Sequence, residues 1–464
     1  MHPVLGDPTR GSVPIVPTSR SRLRHTLDAL PAEARAYAGA TGFDGAPGAH
    51  LIVPSAKGAA AAVLFGLAEP GAAPADPMAF GKLASLLPRG RYRIADGAEA
   101  PEHAELAYLL SAYKFSRYRK SKPTDAVLEA PRGARREKIE TISEAVAFGR
   151  DLINTPANDM GPEALERAAT ALAKRYGARV KAVRGEQLLK SGFPLVHAVG
   201  KGAAEPPRLI DINWGPRKGG PKITLVGKGV CFDTGGLDIK PGASMLLMKK
   251  DMGGAASALA AASMIMRAGL PARLRVILPI VENSVSAQSF RPGDVYPSRA
   301  GLTVEIGNTD AEGRLILADA LALADEDEPD LLVDFATLTG AARVALGPDL
   351  PAYFTGDEKL AGEIAAAGAT AADPVWRLPL WAPYGALLDS KTADLNNVSS
   401  GPFAGAIVAA MFLKRFVRKT AAWAHFDVYN WNGSTKPGRP EGGDIQAARL
   451  VFELVSRRIA AIAG

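Results

Sequence analysis

Runs of consecutive apolar residues, each the length of a strand, constrain the fold of this chain more than any other feature. They fall at 195–199, 209–212, 223–226, 274–281 and 331–335. Strands that are apolar at every position, not at alternate positions, are typical of a sheet covered by helices on both faces. Helical patterns follow or separate them at 254–267, 315–324 and 404–417. This alternation predicts an α/β/α sandwich with a central mixed sheet.

The first 125 residues have a different texture and predict a separate, smaller α/β domain. Short strands are expected at 51–54 and 62–65, and a helix at 102–116. Proline, glycine and charge at 121–136 indicate a linker. We therefore expect a first domain over 1–125, a linker with the start of a connecting helix over 126–145, and a larger domain over 146–464. Helical spacing continues at 138–154 and 162–176.

Composition narrows the classes of protein to consider. Apolar residues make up 47% of the chain and charged residues 22%, as in globular proteins. The longest apolar runs are too short to span a membrane. With Cys231 as the single cysteine, no internal disulfide and no cysteine-rich zinc module can form. The start of the chain lacks the layout of a secretory signal, so a cytoplasmic location is expected.

The chain is basic, with a net charge of +7. The densest basic stretch is KFSRYRKSK at 114–122, followed by RGARREK at 132–138. Two interpretations stand: a solvated face, or a contact with nucleic acid or another subunit. An excess of 55 basic over 48 acidic residues is modest for 464 residues, which favours the solvated face.

Charge is concentrated next to the apolar strands in two segments. The first, at 226–256, follows the predicted strand 223–226 and contains Lys228, Asp233, Lys240 and Asp251 among several glycines. Glycine permits tight turns and close backbone approach, so these charged groups can converge. Ligands in α/β folds gather at the carboxyl ends of strands, which is where this segment begins.

The second segment is NTDAEGRL at 308–315, where Asp310, Glu312 and Arg314 recur at a spacing of two. In an extended loop this spacing directs all three side chains to the same side, with a helix expected from about residue 315. Two carboxylates and a guanidinium against an apolar sheet are costly without partners. A bound cation and a bound anion would supply them.

The four carboxylates of Asp233, Asp251, Asp310 and Glu312 suit a pair of divalent ions, which need bridging and terminal oxygens. The chain has six histidines, and none lies in either segment. An oxygen-rich site of this kind accepts Mn²⁺, Mg²⁺ or Zn²⁺ and does not select Zn²⁺ through imidazole.

Each residue also has an ordinary structural interpretation. Asp233 and Asp310 could cap turns, Lys228 and Lys240 could be solvated, and Arg314 could pair with Glu312. Cys231 is expected to be a packed strand residue. Two other enzyme classes are excluded, because VGKG at 226–229 lacks the spacing of a phosphate-binding loop and no G-x-S-x-G motif occurs.

Taken together, the motifs resemble one family. NTDAEGRL is similar to the signature of the leucyl (cytosol) aminopeptidase family, and 226–256 is similar to that family's other metal-binding segment. Further similar segments are VENSVSAQSFRPGDV (281–295), ATLTGAARVALG (336–347), ADLNN (393–397) and FDVYNWN (426–432). The resemblance covers about residues 145–450.

The resemblance implies a role for each charged residue. One metal would be held tightly by Lys228, Asp233, Asp251 and Glu312. A more exchangeable metal would be held by Asp233, Glu312 and Asp310, so that Asp233 and Glu312 help to bridge the pair. Lys240 and Arg314 match the catalytic positions that bind no metal. The substrate side-chain pocket would include Met248, Thr337 and Gly340.

The resemblance also implies an activity and partners. The expected enzyme removes the first residue of peptides that have a free amino end, using two divalent ions and a bicarbonate bound by Arg314. Lys240 would polarise the scissile carbonyl. A homohexamer is implied, and DNA binding is a further role that some members of the family have.

Overall fold

A computed structural model describes residues 4–9, 11–69, 71, 76–95, 100–122 and 124–463. The chain forms two compact units. The first comprises Met1–Ala147 with Gly433–Glu441, and the second comprises Phe148–Asn432 with Gly442–Gly464. Among the helices of the described residues, none combines the length and apolar character that crossing a bilayer requires.

The first unit is built on a six-stranded mixed sheet with the order β1-β6-β5-β2-β4-β3. Its strands are β1 (Leu5–Gly6), β2 (Val13–Thr18), β3 (His50–Pro54), β4 (Ala60–Gly66), β5 (Gly90–Ile94) and β6 (Ala126–Glu129). Its helices are α1 (Leu23–Asp28), α2 (Ala32–Ala40), α3 (Pro101–Ser111) and the start of α4 (Ala134–Asn154), with a 3₁₀ helix at Ala79–Ser85. An apolar cluster formed by β3, β4 and α2 lies on one face of this sheet.

Two expectations for this region need correction. The segment 121–136, whose composition indicated a linker, contains β6, which pairs with β5 and with β1. This stretch has little strand pattern in its sequence apart from the apolar Ala126 and Leu128, which are both buried. It is extended because it pairs with the neighbouring strands. The helix expected to reach residue 116 ends at Ser111. Shortly after this point the basic stretch 114–122 begins, and it lacks the apolar spacing of a helix.

The second unit contains the larger sheet, of nine strands. Its main path is β16-β15-β18-β14-β9-β11-β8-β7, and β10 pairs with β11. The strands are β7 (Arg179–Arg184), β8 (Arg208–Trp214), β9 (Lys222–Gly227), β10 (Gly229–Asp233), β11 (Arg273–Asn283), β14 (Leu331–Ala336), β15 (Ala352–Phe354), β16 (Trp376–Arg377) and β18 (Trp423–Asp427). Small sheets are formed by β12 (Val295–Pro297) with β13 (Thr303–Glu305) and β17 (Leu395–Asn396), and by β19 (Trp431–Asn432) with β20 (Gly442–Gly443).

Helices cover both faces of the large sheet. Besides the end of α4, the helices of the second unit are α5 (Pro162–Arg175), α6 (Gln187–Lys190), α7 (Pro194–Gly200), α8 (Gly242–Met245), α9 (Gly253–Arg267), α10 (Glu312–Asp325), α11 (Gly340–Leu346), α12 (Glu358–Thr370), α13 (Gly405–Lys414) and α14 (Ala448–Ala463), with 3₁₀ helices at Met248–Met252 and Ala382–Leu388. Val226 belongs to a core cluster with α7, α10 and α13. The next residue, Gly227, faces Ala255 and Ala258 of α9. Because neighbouring strand residues point to opposite faces, α9 and α10 cover opposite sides.

The predicted architecture is therefore confirmed: a small α/β unit precedes a larger unit with a central mixed sheet. The strands expected at 209–212, 223–226, 274–281 and 331–335 are present, as are the helices at 254–267 and 315–324. The strand expected at 195–199 is wrong, since these residues form α7. A short apolar run fits a buried helix as well as a strand. Pro194 at the first helical turn, with its φ already suited to a helix, decides between them.

The register of the sheet brings several chain segments to one edge. Strands β9, β11, β14 and β18 are mutually parallel where they are neighbours. Strand β10 runs parallel to β11 as well. The residues that follow these strands therefore emerge on the same side of the molecule. Both charged segments of the sequence begin near this edge.

Glu105 of α3 provides a pH test of the first unit. It is 5% exposed, and Arg135 Nη2 lies 3.0 Å from its Oε1. Burial raises the pKa of Glu105 to about 7 from a usual value of 4.5, although Arg135 acts in the opposite direction. Between these two values the folded protein binds the extra proton, so the stability that depends on protonated Glu105 is lost as the pH rises through 7.

We expect Glu105→Gln to abolish this titration. The Tm of the variant should rise relative to that of the unchanged protein by several degrees between about pH 5 and about pH 8, measured by thermal denaturation. Glu137→Gln, at an exposed position of α4 that does not contribute to the shift of Glu105, is the matched control and should show no growing difference. A constant difference for Glu105→Gln across this range would contradict the prediction.

Candidate metal centre

Lys228 is the first charged residue beyond β9. Its backbone N–H donates to Phe335 O of β14 at 3.0 Å, which anchors it at the carboxyl edge of the sheet. The side chain is 2% exposed, and its Nζ lies 2.8 Å from Asp251 Oδ2 and 2.9 Å from Glu312 Oε1. Nζ also donates to Thr337 O at 2.9 Å. Two carboxylates from distant parts of the chain thus meet at one ammonium group.

Two glycines make this approach possible. A Cβ on Gly313 would lie 2.6 Å from Cε and Nζ of Lys228, so the lysine passes directly over the backbone of α10. A Cβ on Gly254 would lie 2.2 Å from Phe335 O and 2.9 Å from Lys228 N, so α9 packs against the strand ends without side-chain thickness. At Gly254 the obstacle is backbone, so a larger residue is excluded there, whereas a larger residue at Gly313 would displace Lys228 from its acids.

A second lysine lies among the other acids of the site. Lys240 Nζ is 2.8 Å from Asp233 Oδ2, and it also pairs with Asp310. Asp233 ends β10 and is 3% exposed. Asn283, at the end of β11, donates from Nδ2 to Asp233 Oδ1 at 2.9 Å. Asp233 is thereby fixed by groups on two neighbouring strands.

Three carboxylates converge within reach of one ion. Oxygen atoms of Asp233, Asp310 and Glu312 all lie within 4.8 Å of one another. Asp233 and Glu312 are buried, whereas 33% of the Asp310 side chain is exposed. Burial, reinforced by the nearby Asp233 carboxylate, raises the pKa of Glu312 to about 8 and that of Asp310 to about 6. Like charges held this close are stabilised by a bound cation.

This donor set fits divalent metals. Carboxylate oxygens are the preferred ligands of Mg²⁺ and Mn²⁺, and Zn²⁺ accepts them as well. Asp251 extends the set on the side of Lys228, and its Oδ1 accepts from Thr337 Oγ1 at 2.6 Å. All five predicted ligands, Lys228, Asp233, Asp251, Asp310 and Glu312, therefore line a single site.

The expected common direction of Asp310, Glu312 and Arg314 is wrong for Arg314. Helix α10 begins at Glu312 and not near residue 315, so Glu312 and Arg314 are two positions apart on a helix. That spacing turns their side chains to different sides. Glu312 meets Lys228, while Arg314 Nη1 donates to Asn397 O at 2.7 Å.

Arg314 retains an unused donor. It is 8% exposed, and its Nε has no hydrogen-bond partner among the described residues. Burial lowers the pKa of its guanidinium to about 10. A buried cation with a free donor fits an anion of planar, multiple-oxygen type.

The metal-ligand candidates share a cavity of 520 Å³ with the predicted substrate-pocket residues. Met248, Thr337 and Gly340 all line it, as does the catalytic candidate Lys240. Arg314 is not among the described residues that line this cavity. Further lining comes from Ala342, Arg343, Pro348, Leu350, Asp427 and Tyr429.

Sequence reasoning missed three residues that the site uses. Asn283 supports Asp233, and Asn397 Oδ1 accepts from Gly307 N and Asn308 N, which holds the loop before Asp310. Both asparagines lie in segments noted for their family resemblance, but nothing in their spacing reveals these contacts. Lys250 lines the cavity beside Asp251. The signal that could have identified Lys250 is a charged side chain at a position whose neighbours in the chain, Asp251 and Met252, are buried.

Family profiles match almost the whole chain. The profile described as the cytosol aminopeptidase family, catalytic domain, matches residues 147–451. The profile of the M17 aminopeptidase N-terminal domain matches residues 13–131. The chain belongs to the cytosol aminopeptidase family. The resemblance inferred from the motifs is confirmed.

Curated relatives in this family are similar over most of their length. A probable cytosol aminopeptidase of Syntrophotalea carbinolica is 41% identical over 75% of this chain and 73% of its own. A probable cytosol aminopeptidase of Mycobacterium bovis is 41% identical over 75% of this chain and 71% of its own.

Solved structures in the cytosol aminopeptidase family agree in fold. The crystal structure of a cytosol aminopeptidase from Coxiella burnetii has a TM-score of 0.94 and 46% identity, covering 98% of this chain and 99% of its own. The bottromycin maturation enzyme BotP in complex with Mn has a TM-score of 0.87 and 34% identity, covering 97% and 99%. As a member of this family, the chain is a metal-dependent hydrolase that acts on the amino ends of peptides.

Metal binding should stabilise the protein through the converging acids. Excess Mn²⁺ is expected to raise the Tm by several degrees, since a ligand at roughly 100 times its Kd adds about 2.7 kcal/mol. Glu312→Gln removes a buried acid shared by the cluster and by Lys228, and should lose most of this rise in a thermal-shift measurement.

Asp389→Asn is the control, because Asp389 is an exposed acid outside the cavity lining. It should keep the full Mn²⁺ response. An unchanged response in Glu312→Gln would show that the ion binds elsewhere.

Proposed function

We propose that the chain is a two-metal aminopeptidase whose active site is the cavity built around Lys228. The observation that carries this proposal is the convergence of Asp233, Asp310 and Glu312, with ligand atoms within 4.8 Å of one another, beside two lysines. An ordinary solvated cluster does not bury two of its three acids.

The assignment of ligands is the one that the family resemblance implies, and it is supported by the cavity that these side chains share. Lys228, Asp233, Asp251 and Glu312 would hold the tighter ion, and Asp233, Asp310 and Glu312 the more exchangeable one. Asp251 and Glu312 hold the pKa of Lys228 above its usual range despite burial, so the lysine stays charged beside the free acids. Next to cations it would serve as the neutral amine. A pair of divalent ions held by these residues would supply activation of a water molecule near neutral pH.

Lys240 is positioned to act on the substrate. Burial lowers the pKa of Lys240, but Asp233 and Glu312 outweigh burial and hold that pKa above its usual range, so the ammonium group that lines the cavity is charged beside the free acids. Such a group would polarise the scissile carbonyl and then stabilise the oxyanion of the tetrahedral intermediate. Its contact with Asp310 and Asp233 keeps the flexible lysine chain at the mouth of the acid cluster.

Arg314 is the residue that would hold bicarbonate. Its free, buried Nε supports this role, and its other contact, Nη1 to Asn397 O, fixes the plane of the guanidinium. Bicarbonate there would supply the base that carries a proton from water to the leaving amine. The described residues of the cavity include no histidine for this purpose.

The same cavity supports a specificity for amino ends. The acids would hold the metal ions, and the free amino group of the substrate would bind one of them. Met248 and Gly340 would border its first side chain, and Thr337 supports Asp251 through its hydroxyl.

The test is a panel of aminoacyl-arylamide substrates assayed with Mn²⁺, Zn²⁺ or chelator. We expect hydrolysis with either metal and none with chelator. Peptides with an acetylated amino end should not be cut. Hydrolysis that survives full metal removal would overturn the two-metal assignment.

Lys240→Met and Arg314→Met separate catalysis from metal binding. Each should lower kcat by a factor of about 10²–10³, the usual effect of removing a group that stabilises transition-state charge. Metal content, measured by elemental analysis, should stay close to that of the unchanged protein. Lys359→Met, an exposed lysine of α12, is the control for charge removal. Loss of metal in step with kcat would contradict both roles.

Three further expectations stay predictions: the homohexamer, the cytoplasmic location and binding to DNA. The basic stretch 114–122 is largely exposed in the first unit, where an anionic partner has access to it. No feature of the described residues identifies that partner as DNA.

A further inference from the structure

Lys250 is a buried lysine in the wall of the active-site cavity. It lies in the 3₁₀ helix Met248–Met252, is 6% exposed, and lines the same cavity as Lys228 and Met248. It is a neighbour of Asp251 in the chain, but Asp251 pairs with Lys228 and accepts from Thr337. Its ammonium group therefore faces a cavity whose nearest acid is already engaged.

The Lys250 ammonium has no hydrogen-bond acceptor and no ion-pair partner among the described residues. Its one specific contact is with the ring of Tyr429, whose centroid lies 4.9 Å from Nζ. Asp427, the other nearby acid, accepts at Oδ1 from the backbone N–H groups of Leu338 and Thr339 and at Oδ2 from the Thr339 hydroxyl. A cation buried without an acceptor is costly unless a ligand supplies one.

A second cation shares the same ring. Arg343 Cζ lies 4.7 Å from the Tyr429 centroid, and Arg343 also lines the cavity. The cavity thus has a basic wall, formed by Lys250, Arg343 and Tyr429, in addition to its acidic cluster. The acids suit metal ions and an amino group, whereas the basic wall suits an anionic group on the same ligand.

We infer that Lys250 binds the carboxylate of an acidic first residue, so that this enzyme accepts peptides beginning with Glu or Asp. The inference rests on the proposed function and names its substrate class. A side-chain carboxylate fits better than the carboxyl end of a short peptide, because Lys250 shares its 3₁₀ helix and cavity with Met248, a residue assigned to the side-chain pocket. An apolar first residue would leave the ammonium unpaired, and a basic one would be repelled.

The experiment compares Glu- with Gln-arylamide, which match in shape and differ in charge. The unchanged, metal-loaded protein should show a kcat/KM at least about tenfold higher for Glu, the effect expected of one charge-assisted hydrogen bond. Lys250→Met should reduce this ratio to one or below. A ratio near one in the unchanged protein would overturn the inference, whether or not the variant folds.

Lys249→Met is the matched control, since Lys249 precedes Lys250 in the chain but points elsewhere. Its Nζ donates to Asn154 O at 2.8 Å and lies 5.4 Å from the Trp431 centroid, and it is not among the described lining residues of the cavity. The Glu/Gln ratio should persist in this variant. Its loss there would assign the preference to general surface charge and overturn the role of Lys250.

A second arm separates the two sources of carboxylate. Leu-Ala and Leu-Ala-amide differ in the terminal carboxylate alone, and both should be cleaved alike by the unchanged protein. A preference for Leu-Ala that disappears in Lys250→Met would show that Lys250 binds the peptide's carboxyl end, against the inference.

Failure of the inference and failure of the proposed function give different results. Cleavage of Leu-arylamide without preference for Glu over Gln refutes the inference and leaves the aminopeptidase proposal standing. Absence of all cleavage with Mn²⁺ refutes the proposed function. In that case calorimetric binding decides the inference, because free glutamate should still bind more tightly than glutamine, and less so in Lys250→Met.

Discussion

Four carboxylates and two lysines occupy a buried space at one edge of the large sheet, and the arrangement of the second unit depends on this constraint. Lys228 Nζ lies within 3 Å of both Asp251 and Glu312, although these residues come from a 3₁₀ helix and from α10. Uncompensated charges at this depth would destabilise the fold. Each is therefore held by a specific partner, and the excess of acids over lysines leaves room for cations.

The large sheet positions these charged groups so that each lies next to a partner. Parallel strands β9, β14 and β18 deliver Lys228, Thr337 and Asp427 to the same edge, while β10 and β11 deliver Asp233 and Asn283. Glycines at 254 and 313 let α9 and α10 approach so closely that no side chain separates them from Lys228. The rigid apolar core under the edge fixes the acids in position, which a mobile loop would not do. Preorganised charge of this kind is what metal binding and stabilisation of an oxyanion require.

The same cavity has an acidic region and a basic region. Its acids suit metal ions and the free amino end, which are common to aminopeptidases of this family. Its basic wall of Lys250, Arg343 and Tyr429 has no assigned role in that chemistry. No acid among the described residues forms an ion pair with Lys250 or Arg343.

The sequence alone determined the α/β class, most strands and helices of the second unit, and the acids of the candidate metal site, because continuous apolar runs, glycines and clustered acids are local patterns. It did not determine α7, since a five-residue apolar run fits a helix or a strand, nor β6, whose only reason to be extended is a place between β1 and β5. Arg314 was expected beside Glu312, but the start of α10 turned it toward Asn397. Partners such as Asn283, Asn397 and Tyr429 became known only from the tertiary structure, because contacts between residues far apart in the chain depend on packing, which leaves no periodic trace in the sequence.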